Sequence, residues 1–136
     1  MKIKAGFFVL MAAGFLMWRQ DAFAEEQKAA SGGIEVLRMV LCQDVKDREP
    51  QQELNMAKVG NVVVGWTQIK SEGGETSVTH RWLLEGEPAG DVLLQVKGSP
   101  WRTWSRKTIS EAGHWKWQVL GPNGDVVKEL EFTAAP

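Results

Sequence analysis

Apolar and polar positions along this chain alternate with the two-residue period of β-strands and rarely recur at helical spacing. Ile34 to Cys42 is β-branched and apolar on both faces, with Arg38 as the one interior charge, and predicts a first strand. Val59 to Ile69, carrying Val62-Val63-Val64 and Trp66, predicts a buried second strand closed by Ser71-Glu72-Gly73-Gly74. From Thr76 the alternation is clean: Val78, His80, Trp82 and Leu84 share one face, and Thr79, Arg81 and Leu83 the other. Glu85-Gly86 turns the chain into Val92, Leu94 and Val96, which alternate with polar neighbours up to Gly98-Ser99-Pro100. Trp101 to Lys107 is a fifth strand, His114 to Leu120 a sixth with Trp115, Trp117 and Val119 on one side, and Val126 to Phe132 the last. Gly121-Pro122-Asn123-Gly124-Asp125 is a strong turn signal between the final two.

About seven short strands and no amphipathic helix predict an all-β fold, an antiparallel two-sheet sandwich of immunoglobulin or fibronectin type, with a small barrel as the alternative. Trp82 is then the natural core aromatic. Gln43 to Lys58 is rich in charge and contains Pro50, and reads as a long irregular connection with room for one helical turn after the proline.

The N-terminus has the parts of an export signal: basic Lys2 and Lys4, an apolar run from Ala5 to Trp18, and Ala22-Phe23-Ala24 before Glu25-Glu26. Residues 1–24 are therefore expected to be a signal peptide, 25–33 a flexible leader and 34–136 a single β domain in the periplasm or outside the cell. The membrane enters only if the signal stays uncleaved as an anchor. Of the 16 Lys and Arg, three precede residue 25, and of the 17 Asp and Glu, one does, so the mature chain carries 13 against 16 and a net charge of minus three. That balance speaks against nucleic acid as a partner. Cys42 is the single cysteine, so no intrachain disulfide holds the domain and a buried strand position is its expected place.

Four ordered segments resemble the bacterial DUF2914 domain, a family of unknown function: Asp47-Arg48-Glu49-Pro50, Val78-Thr79-His80-Arg81-Trp82, Trp101-Arg102-Thr103-Trp104-Ser105 and Gly113-x-Trp115. The resemblance runs from about Ile34 to Phe132. It implies a small exported or membrane-linked β domain and brings no catalytic residues with it.

Six of the seven tryptophans fall after the signal, more than a sandwich core of this size requires. One reading interleaves them with Arg81, Arg102 and Arg106 in cation–π layers, making the clusters structural. The other leaves Trp101 or Trp104 exposed beside Arg102 and Arg81, an anchor for an envelope protein or, as the runner-up, a platform for a cell-wall or envelope glycan. Candidate partner-binding residues are thus Arg48, Arg81, Trp101, Arg102 and Trp104, with the two aromatic and basic clusters forming one place. Arg48 or Glu49 is expected to reach back to that cluster and close the open end of the sandwich. Neither cofactor nor metal is called for: Asp44, Asp47 and Glu49 lack a calcium-loop pattern. No enzyme activity is expected, as Asp47, Glu49 and His80 have no spacing that demands a hydrolytic site.

Overall fold

A computed structural model describes residues 32–136, so the signal-peptide span and all but the last two residues of the leader lie outside the described residues. The described residues form nine strands: β1 (Ile34–Lys46), β2 (Glu49–Glu53), β3 (Met56–Lys58), β4 (Val62–Ser71), β5 (Thr76–Leu84), β6 (Glu87–Val96), β7 (Trp101–Thr108), β8 (Gly113–Leu120) and β9 (Val126–Ala135). They make two sheets, β2-β1-β4-β7 and β3-β9-β8-β5-β6. The first is antiparallel, and the second is mixed because β3 runs parallel to β9.

The seven expected strands are all present, and β5 has the expected limits. The two extra strands lie in the segment expected to be an irregular connection, which contains no helical turn. β1 and β2 are joined by a two-residue turn in which Asp47 (φ 54°) and Arg48 (φ 66°) are both left-handed, and Lys46 faces Glu49. This is the hairpin geometry that glycine and asparagine normally signal, made here without either. Pro50 is accommodated because β2 is an edge strand, where a missing ladder donor costs little.

The sheets face each other across two apolar clusters. Leu41, Val63, Trp82, Ile109, Trp115, Trp117 and Phe132 form one, and Ile34, Val36, Ile69, Val78, Val96 and Val119 the other. Alternation on β5 and β8 runs as the sequence pattern requires, with Val78, His80 and Trp82 facing Trp115, Trp117 and Val119 inward. Trp82 and Trp117 are cross-strand partners and stack at 5.3 Å with planes 8° apart. Gly65 of β4 lies against the pair: a Cβ there would sit 2.6 Å from the Trp117 ring and 3.0 Å from Trp82.

His80 is fully buried between the two clusters. The Thr67 hydroxyl donates to the Thr103 carbonyl at 2.9 Å, so its contact with His80 Nε2 at 3.2 Å is made by the ring N–H. Nδ1 is then left to accept from the Ser105 hydroxyl at 2.7 Å. Thr67 and Ser105 belong to one sheet and His80 to the other, so this polar link pins the sheets in register. Burial pushes the His80 pKa down to about 3, and the ring is neutral.

A candidate partner-binding surface

Both faces of β4 are buried, including Val64 and Trp66 on the side away from the other sheet. Register explains what they meet. Across this outer face run the rows Arg38, Gln68, Arg102; then Val40, Trp66, Trp104; then Cys42, Val64, Arg106. The β1–β2 hairpin is folded back over these rows as a third layer. Val45 packs on the cluster of Cys42, Val64 and Trp66, and the Trp66 indole N–H donates to the Arg48 carbonyl at 3.0 Å. Asp44 lies 3.7 Å from Arg106. The Glu49 carboxylate takes Arg38 at 3.2 Å on one oxygen and Arg102 at 2.8 Å on the other. The hydrogen bond from Arg102, and after it that from Arg38, holds the Glu49 carboxyl below the ordinary carboxylate range.

Arg48 and Glu49 therefore reach the aromatic cluster as expected, but they cover the outer face of the four-stranded sheet and do not plug the space between sheets. Cys42 is fully buried in the layer they cover, and burial raises its thiol pKa.

Four of the five candidate residues converge. Arg48, Trp101, Arg102 and Trp104, with Thr103 and Gln95, line a shallow depression of about 340 Å³ beside β7. The Arg48 guanidinium lies 5.2 Å over the Trp101 ring. The two indoles flank the strand from opposite sides: Trp101 packs on the inner cluster with Ile69 and Val96, and Trp104 on the outer one with Trp66. Each is half-buried. β7 is an edge strand, so one side of its backbone has no strand neighbour among the described residues.

Arg81 is elsewhere. It projects from the outer face of the five-stranded sheet, opposite in direction to its neighbour Trp82, and forms a two-point ion pair with Asp91 at 3.0 Å. Asp91 is accordingly held below the usual carboxylate range by that hydrogen bond. The two aromatic and basic clusters are not one place, because successive strand residues face opposite ways. The expected cation–π partners also differ: Arg38 lies 4.7 Å over Trp66 and Arg48 over Trp101, while Arg81, Arg102 and Arg106 make ion pairs. The outer face around Arg81 is matched within itself, with His114 on Glu131 and both Lys116 and Gln118 on Glu129.

The acidic residues of the hairpin and His80 lie on opposite sides of the four-stranded sheet, so Glu49 and His80 do not share a site. The parts that sequence reasoning left unassigned are Arg38 and Gln95. Arg38 stands as the one basic residue between Ile34 and Cys42, which is a legible signal for a functional or paired side chain. Gln95 carries no comparable signal.

The fold and this surface define a small β-sandwich whose outer face is capped by its own hairpin and rimmed with arginine and tryptophan. Residues 75–134 match the model of the DUF2914 family, described as a protein of unknown function. The match spans β5 to β9 and contains three of the four segments on which the resemblance rested, and Asp47-Arg48-Glu49-Pro50 precedes it. No curated protein matches the chain.

Proposed function

We propose that the chain is an exported, non-catalytic interaction domain that recognises a protein partner in the bacterial cell envelope through the surface around Arg48, Trp101, Arg102 and Trp104. The observation that carries this reading is the convergence of Arg48, from a distant part of the chain, with Trp101, Arg102 and Trp104 of β7 on one depression beside the edge of that strand. Tryptophan and arginine are the side chains most often found to anchor protein interfaces. The export half rests on the charged, apolar and Ala-x-Ala segments of residues 1–24.

Glycan binding is the second reading, and one feature counts against it. A sugar platform needs indoles lying side by side, whereas Trp101 and Trp104 stand on opposite sides of β7. A protein patch needs aliphatic neighbours, and Leu93, on the same face of β6 as Gln95, is 66% exposed.

The test is photo-crosslinking in a bacterial envelope with the full chain carrying the probe at Gln95. A discrete protein adduct is expected, lost on Trp104→Ala and not formed from a probe at Gln118, which lies on β8 of the same sheet with β5 between it and β6. Adducts that carry carbohydrate and no polypeptide would move the reading to glycans. Equal labelling from both positions would end it.

A further inference from the structure

The first row on the outer face sets Arg38 and Arg102 on either side of Gln68, and one carboxylate spans them with an oxygen on each guanidinium. Planar, charge-assisted recognition of this kind is what arginine pairs provide for a free carboxylate. The occupant, Glu49, comes from β2, the edge strand that the hairpin turn carries back over the face bearing the arginines. It arrives on an extended segment, and the next row offers Val40, Trp66 and Trp104 to whatever lies beside it.

The cover itself is lightly held. Among the described residues the backbone of β2 is laddered to β1 alone, and Asp47, Arg48 and Gln52 all hold left-handed backbone (φ 54°, 66° and 56°) that side-chain-bearing residues rarely adopt. The three rows under the hairpin carry Arg38, Arg102 and Arg106 and no carboxylate, so the face that the hairpin covers is locally cationic on a chain of formal net charge −1.

We infer that the Arg38 and Arg102 pair is a carboxylate-recognition site for an acidic, extended peptide segment of a protein partner, with Glu49 as its internal occupant, displaced when the hairpin lifts. This rests on the protein-partner reading above and names the chemistry of the partner. An extended peptide fits because the structure already places one there, and the charge surplus favours an acidic one. Lifting the hairpin also uncovers Trp66, which is 0% exposed when the cover is down.

The experiment uses the full 136-residue chain and a fluorescent synthetic peptide reproducing residues 43–54, followed by anisotropy. A chain carrying Glu49→Gln has lost the internal carboxylate and is expected to bind the peptide about tenfold more tightly than the wild type, as removal of a competing closed state requires. Changing the glutamate of the peptide that corresponds to Glu49 to glutamine, or adding Arg102→Gln to the chain, is expected to erase that gain. Glu49→Asp, one methylene shorter, should give a smaller gain and serves if Glu49→Gln does not fold. Equal binding of the two peptides, or no binding by any variant, overturns the assignment. Conversion of Glu49→Gln to a dimer in light scattering overturns it in favour of hairpin exchange between copies, and tighter binding of an oligogalacturonate than of the peptide overturns it in favour of an acidic glycan. None of these failures bears on the Gln95 crosslink, which judges the interaction surface independently.

Discussion

Gly65 lets β4 lie directly against the aromatic core, and the reason is steric. Its missing side chain lets the backbone of β4 lie on the stacked faces of Trp82 and Trp117, with 2.6 Å between an added Cβ and the Trp117 ring. The tryptophans are flanked by His80 and Phe132 and have nowhere to retreat. Gly65→Ala should therefore destabilise by about 2 to 3 kcal/mol through overpacking, seen as a fall of roughly 10 °C in the melting temperature. An unchanged melting temperature would mean that the stack is not held against β4. His80 makes the second residue-scale prediction. Its folded pKa of about 3 lies below the ordinary histidine value of 6.5, so the unfolded chain takes up the proton first and stability is lost as pH falls through that interval. Between pH 7 and pH 5 the loss from this ring is about 2 kcal/mol. Urea midpoints at the two pH values measure it, and the difference should shrink in His80→Gln. A difference that persists unaltered in that variant would assign the effect to other groups.

The hairpin is the element whose behaviour most affects the surface. Its turn places Arg48 at φ 66°, where a residue with a Cβ is disfavoured and glycine is not. Both Arg48→Ala and Arg48→Gly remove the guanidinium from Trp101, while the carbonyl that holds Trp66 stays with the backbone. Arg48→Ala should lower stability by about 1 kcal/mol, the scale of an exposed cation–π contact. Arg48→Gly should be the more stable of the two by a similar amount, since it relieves the turn. Thermal melts of the pair decide, and identical values would show that the turn carries no strain. This element was also the least legible part of the sequence. β2 hid behind Pro50, which edge position tolerates, and behind a turn with neither glycine nor asparagine. The contact between Glu49 and Arg102 joins residues 53 apart, which no local pattern announces. By contrast β5 and β8 were plain, because one face of each is core and the other water. Trp101 and Trp104 resisted assignment for the opposite reason: β7 has covering on both faces, the other sheet on one and the hairpin's layer on the other. Arg81 was misplaced by adjacency to Trp82, although strand alternation already turned it away.

At the scale of the whole molecule, three layers replace the two of a simple sandwich, and the layers differ in what secures them. The space between the sheets holds Trp82, Trp115 and Trp117 with aromatic stacking and full burial, and opening it means unfolding the domain. The space under the hairpin holds Trp66, equally buried, but its indole N–H is bonded to the Arg48 carbonyl on the cover. Trp66 should therefore exchange its indole proton through local opening, at a free energy below that of global unfolding. Trp101 and Trp104, half-exposed beside β7, should exchange fastest. Indole signals followed by NMR in deuterated water would then fall into three groups, with Trp66 between the edge pair and the central three. Glu49→Gln should accelerate Trp66 and leave Trp82 and Trp117 unchanged, because it loosens the cover without touching the inner core. If Trp66 instead exchanges as slowly as Trp82 and ignores Glu49→Gln, the hairpin opens only when everything does, and a partner would have to bind over the closed cover, not beneath it.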